Sequence, residues 1–175
     1  MKRLTDKEYL KMCYDTAKNS EDPNTKTGAI IVDRDGYIRA TGYNHFPYRA
    51  TNFSMEEHCL PIVFNRRVEA AKKITWNRSG DYIDTKYPYV VHAETDCCIN
   101  LLKINTSIEI DDSLTMYMTL FPCDKCAQMI IESGIRKIVY ADDKYHDAEF
   151  SQAARILLEA CGVECVYIPL EEDEK

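Results

Sequence analysis

No stretch of the sequence approaches the roughly 18 consecutive apolar residues that a membrane-spanning helix requires. The opening MKRLTDKEYL also lacks the apolar core of a secretory leader, so the reading is a cytoplasmic protein with no membrane partner. Basic charge is short: 22 Lys and Arg stand against 29 Asp and Glu, a net charge of -7. That balance argues against extended nucleic acid, whose binding relies on neutralising phosphates, and leaves room only for a small anion held by a few local groups. Glycine and proline number six each and no biased tract precedes the acidic tail EEDEK at 171–175, which excludes fibrous and disordered classes. A single domain over residues 1–170 follows, long enough to bury a core without staples. Cysteine, by contrast, is plentiful. Eight in a reducing compartment call for metal ligation, catalysis or plain burial rather than disulfides.

The pattern of elements is αββαβαβαβ. Thr5 and Glu8 stand in capping-box register, with Leu4 and Tyr9 placed as a hydrophobic staple. Met12, Cys13 and Ala17 continue the buried face of that first helix. TGAIIVDRDGYIRATGYN reads as a hairpin turning at Asp35-Gly36. SLTMYMTL alternates Leu114, Met116 and Met118 against Thr115, Tyr117 and Thr119, and RKIVYA and VECVYI are further strands. Helices are expected over 93–104, over 123–133 with Gly134 as C-cap, and over about 148–160. Strands alternating with helices imply right-handed parallel crossovers, so an α/β fold with a mixed five-stranded sheet flanked by helices is predicted. Residues 45–91 form a long connection, with an insertion-like segment at about 50–75.

Chemistry concentrates in two places. FPCDKC follows a strand and opens a helix, putting Cys123 and Cys126 one turn apart on one face, where the helix N-terminus favours thiolate over thiol. YPYVVHAETDCC puts His92 and Glu94 two positions apart at the start of another helix. Alone, either pattern is weak: a redox pair or half a zinc finger in one case, a satisfied polar pair in the other. Together they form His-x-Glu followed by Pro-Cys-x-x-Cys, the signature of zinc nucleobase deaminases. One imidazole and two thiolates hold Zn2+ while leaving a fourth position for water, the mark of a catalytic rather than a structural site. His92, Cys123 and Cys126 are the candidate ligands. Glu94, close to the metal without ligating it, is the candidate general acid and base.

SEDPNTKTGAIIV, GYNHFP, DTKYPYVVHAE, MYMTLFPCDKCAQMIIESGIRKIVYADDKYHD and AARILLEACGV together resemble the deoxycytidylate (dCMP) deaminases of the cytidine deaminase superfamily over most of the chain. The resemblance implies a cytidine-deaminase-like three-layer fold and hydrolytic deamination of dCMP to dUMP and ammonia. It implies a homo-oligomer, often a hexamer, and control by dCTP with Mg2+. It places Asn44 against the sugar or base, the loop bearing Asn24, Thr25 and Lys26 near the same mouth, and Tyr145 on the sugar or the 5′-phosphate, with Lys144 and His146 competing for the phosphate. Asp-Pro-Asn in that loop is also ordinary turn chemistry. Rival readings are a nucleotide-binding regulator without turnover, against which an intact Glu94 speaks, and an enzyme acting on dCTP, 5-substituted dCMP or polynucleotide cytosine.

Two residues depart from the family pattern: His45 stands where relatives carry glycine, and Asp96 where they carry asparagine. An altered or absent triphosphate response is therefore expected. His58, Cys59, Cys97 and Cys98 match no zinc-ligand spacing, and burial is expected for Cys97, Cys161 and Cys165.

Overall fold

The computed structural model describes residues 3–48, 66, 68–104 and 113–171. Most of the insertion-like segment at about 50–75, with His58 and Cys59, lies outside the described residues, as does most of the acidic tail. No helix among the described residues is long and apolar enough to cross a membrane.

Helix α1 (Asp6–Ala17) begins where the capping box places it. The Thr5 hydroxyl accepts from the Glu8 N–H at 3.3 Å, and the Glu8 carboxylate accepts from the Thr5 N–H at 2.7 Å. The hairpin follows as β1 (Gly28–Val32) and β2 (Ile38–Tyr43), then α2 (Ala93–Ile104), β3 (Thr115–Leu120), α3 (Asp124–Glu132), β4 (Lys137–Asp142), α4 (Glu149–Ala160) and β5 (Glu164–Tyr167). Gly134, at φ 77°, terminates α3 in a left-handed conformation that costs glycine nothing. The sheet order is β2-β1-β3-β4-β5, antiparallel through β2, β1 and β3 and parallel through β3, β4 and β5. This is the mixed five-stranded sheet the periodicity predicts.

The alternation in β3 separates two cores rather than core from solvent. Met116 and Met118 join Ala93, Cys97, Ala127, Ile130 and Leu158 beneath α2, α3 and α4. Tyr117 joins Tyr9, Leu10 and Cys13 beneath α1. Strands buried on both faces are what a three-layer α/β/α arrangement requires. Cys97 is buried as expected and Cys98 is buried beside it, whereas Cys161 and Cys165, also expected to be buried, are exposed. Cys161 caps the end of α4 and Cys165 lies on the short strand β5 at the edge of the sheet.

Strand directions place the chemistry. Because β1 runs against β3, the start of β1 and the end of β3 meet at one edge of the sheet, and the pairings Gly28–Tyr43, Ala29–Met118 and Leu120–Asp142 fix that edge. The segments leading away from it carry Thr25 to Thr27, Asn44, Phe121 to Cys123, and Tyr145.

Candidate active site

His92 immediately precedes α2, and two contacts fix its position. His45 and Val91 exchange backbone hydrogen bonds at 3.1 and 2.8 Å, extending the hairpin's end onto the residue before the histidine. A Cβ on Gly42 would lie 2.4 Å from the Ala93 carbonyl oxygen and 2.3 Å from the Cys97 nitrogen, so β2 and α2 touch backbone to backbone, an approach only glycine allows. On the facing side, Cys123 caps α3 and Cys126 sits in its first turn. His92 Nδ1 lies 3.5 Å from Cys123 Sγ and 3.4 Å from Cys126 Sγ. All three donor atoms fall within 4.8 Å of one another.

That geometry fits one zinc ion. Donors about 2.0–2.1 Å (nitrogen) and about 2.3 Å (sulfur) from a common ion at tetrahedral angles stand about 3.5 Å apart. Charge points the same way. The Cys126 thiol beside Cys123 holds Cys123 down to about 4, while that same contact and burial push Cys126 well above its ordinary value. Two sulfurs this close carry one negative charge between them, and a divalent cation is what allows both to be thiolates. The Cys123 sulfur likewise raises His92. The Thr95 hydroxyl, 3.5 Å from Cys126 Sγ, can donate to the thiolate. Among the described residues this is the one such group of donors.

Glu94, only 5% exposed, lies on the first turn of α2 beside these donors, and burial raises its carboxyl above the ordinary range. A carboxyl so placed holds and releases a proton nearer neutrality than a surface glutamate does. His92, Glu94 and Cys123 line a cavity of about 560 Å3, a size typical of small-molecule sites.

Thr25, Asn44 and Tyr145 line the same cavity. Asn44 is heavily committed. Its Oδ1 accepts from the Thr27 N–H at 2.8 Å, and its Nδ2 donates to the Thr25 carbonyl at 2.9 Å and to Asp22 at 3.3 Å, leaving one Oδ1 lone pair for a ligand. Asn24 and Lys26 stand apart. Both are exposed and outside the described lining, because Asp22 Oδ1 gathers the Asn24 and Thr25 N–H groups into a turn, and the Lys26 ammonium reaches back to the Lys18 carbonyl.

Sequence reasoning passed over Asp22, Lys86 and Arg78. Asp22 is fully buried, and its second carboxylate oxygen accepts from Lys86 Nζ. Burial alone raises Asp22, but Lys86 and the Asn24 and Thr25 N–H groups outweigh it and hold the carboxyl below its usual value. Lys86 also lies over the Trp76 ring at 5.8 Å, and that ring stacks on Phe46 at 4.0 Å. Lys86 and Arg78 both line the cavity. Lys86 sits inside the family-like DTKYPYV, the one signal available. A partner 64 residues away leaves no periodic trace.

Comparison with known proteins agrees with this geometry. Human deoxycytidylate deaminase is 35% identical over 89% of this chain and 74% of its own length. The probable deoxycytidylate deaminase of Drosophila melanogaster is 38% identical over 85% of this chain and 64% of its own length. The dCMP deaminase of cyanophage S-TIM5, solved in complex with dCMP and dUMP, superposes with a TM-score of 0.62 at 24% identity, covering 96% of this chain and 99% of that one, and so shares the fold. The family model of the cytidine and deoxycytidylate deaminase zinc-binding region matches residues 3–142, from the start of α1 to the end of β4, and the chain accordingly belongs to the cytidine and deoxycytidylate deaminase family.

Proposed function

We propose that the chain is a zinc-dependent hydrolase converting dCMP and water to dUMP and ammonia, and that residues 1–170 form its single deaminase domain. The observation that carries the reading is Glu94, a buried carboxyl in one cavity with a donor set sized for zinc. His92 Nδ1 and the sulfurs of Cys123 and Cys126 would hold the ion. Zinc held there would lower the pKa of water to about 7 and so supply the nucleophile at neutral pH. Glu94 would take a proton from the attacking water and deliver it to N3 of the ring as the C4–O bond forms. A second proton then passes from the new hydroxyl through Glu94 to the exocyclic amine. The C–N bond breaks, ammonia leaves, and the oxygen on C4 becomes the carbonyl of dUMP. Burial suits Glu94 to both directions of transfer.

Asn44, Thr25 and Tyr145 are the nucleotide contacts in this reading. Asn44 does double duty, holding Thr25 and Thr27 in the wall while keeping an acceptor free. We further propose a cytoplasmic homo-oligomer, a hexamer by resemblance, in which His45 alters the response to dCTP and Mg2+. The imidazole that replaces glycine there is tied to Asp96, 3.3 Å away, so the two family departures form one contact. Purified protein incubated with dCMP should release ammonia and dUMP in equal amounts. Failure to do so at any zinc loading rejects the reading.

A further inference from the structure

Recognition of a nucleoside monophosphate needs a cation at the mouth of the cavity, and five described basic residues lie close enough to compete. Lys86 lines the cavity, but its ammonium is buried against Asp22, which neutralises it. His146 pairs with Asp143 at 3.1 Å, and Arg155 donates to the same carboxylate at 2.5 Å while its guanidinium stacks on Phe121. Lys144 lies over the outer ring of Tyr145 at 5.0 Å and is exposed, and none of these last three is in the cavity lining. Arg78 differs from all four. It lines the cavity that contains Glu94, and among the described residues it has no carboxylate partner.

What Arg78 does touch is informative. Its Nε donates to the Tyr87 hydroxyl at 3.4 Å, and Tyr87 and Tyr145 both border the same cavity. A hydroxyl that accepts from arginine keeps its own proton for donation elsewhere. Two O–H donors and the remaining guanidinium N–H groups therefore gather in one place with no acceptor among the described residues to satisfy them. That is the arrangement a phosphate dianion takes, and arginine's planar fork suits it better than a point charge.

We infer that Arg78, supported by the Tyr87 and Tyr145 hydroxyls, is the receptor for the 5′-phosphate and makes the site selective for nucleoside monophosphates over nucleosides. The inference rests on the deaminase reading for its choice of ligand but not for its test. Lys144 and His146, which the sequence analysis sets beside Tyr145 as competitors for the phosphate, are left outside it.

Binding of dUMP and of deoxyuridine, measured by calorimetry on zinc-loaded wild type, Arg78→Ala, Arg78→Lys and Lys144→Ala, decides the matter. Wild type should prefer dUMP by about 10- to 100-fold, the range expected for a charge-assisted phosphate contact. Arg78→Ala should abolish most of that preference while leaving deoxyuridine affinity and zinc content unchanged. Arg78→Lys should retain part of it, and Lys144→Ala nearly all. Equal binding of dUMP and deoxyuridine by wild type overturns the inference, as does an Arg78→Ala variant that keeps the full preference. Turnover of dCMP, followed on the same samples, separates the two levels: a wild type that discriminates the phosphate without deaminating rejects the deaminase reading and leaves the Arg78 receptor standing.

Discussion

The floor and the rim of the cavity share one edge of the sheet but are built by opposite means. On the floor, His92, Glu94, Cys123 and Cys126 sit at the starts of two helices, and local spacing along the chain sets their geometry. The rim joins the 22–27 turn, Asn44, Lys86 and the aromatic rings around them through side-chain bonds that cross long stretches of sequence. The floor is positioned by packing and carries the chemistry. A buried ion pair and a largely committed amide position the rim, which in the proposed function carries selectivity. Damage to the floor should therefore cost turnover with the fold intact, whereas damage to the rim should cost stability and substrate affinity together.

The largest effect expected is on the floor. Glu94→Gln keeps the shape of the side chain and removes its proton chemistry, so kcat should fall by about 10^2 to 10^4 while zinc content and melting temperature stay near wild type. Steady-state kinetics with metal analysis on one preparation checks this, and a variant that retains full kcat would remove Glu94 from the mechanism.

On the rim, Lys86→Met leaves the fully buried Asp22 charge without its partner, and a loss of about 3–5 kcal/mol in denaturant unfolding is expected. The pH dependence carries the sign. Asp22 is held below its ordinary value in the fold, so its contribution is complete above the unfolded value of about 3.9 and fades as pH falls through the lower folded one. Wild type should thus lose stability on acidification below about pH 4 through this group. Lys86→Met, with Asp22 now costly when charged, should lose less or gain.

Gly42→Ala probes the join between the two regions. The added methyl would meet the α2 backbone closer than any van der Waals contact allows, so about 1–3 kcal/mol of stability should be lost. Turnover should fall as well, because the helix displaced is the one that presents His92 and Glu94. Unchanged kinetics in a destabilised variant would show that the floor tolerates movement of α2.

The smallest effect is expected for His45 and Asp96. The His45 side chain is partly exposed and lies 3.3 Å from the buried Asp96, which also accepts from the Tyr43 N–H. A double-mutant cycle over His45→Ala and Asp96→Asn should give a coupling of about 0.5–1 kcal/mol, and additive single effects would show that the two departures from the family pattern act separately.

The same contrast explains what could be read from the sequence. The capping box at Thr5 and Glu8, the hairpin, the parallel crossovers and the 93–104 helix follow from rules that span a few residues, and so does the pairing of Cys123 with Cys126. His92 joins them through a chemical signature. Nothing local announces that Lys86 belongs with Asp22, or that Asn44 spends its amide on the backbone of Thr25 and Thr27. Lys26 and Asn24 look well placed in the linear sequence, but the Asp22 turn leaves both exposed outside the cavity. Cys161 and Cys165 read as buried because they flank a helix end and a strand, yet both are exposed, one at the end of α4 and the other on the edge strand β5.

The proposed function needs a zinc ion held by His92, Cys123 and Cys126 in the cavity where the base is proposed to bind. Its most direct test is metal content against dCMP turnover for the purified protein as isolated, after chelation and after zinc is returned, with His92→Ala alongside. About one zinc per chain is expected, with activity lost on removal and recovered on return, and with neither metal nor activity in the variant. Full turnover by metal-free protein, or a His92→Ala variant that keeps its zinc and its activity, would contradict it.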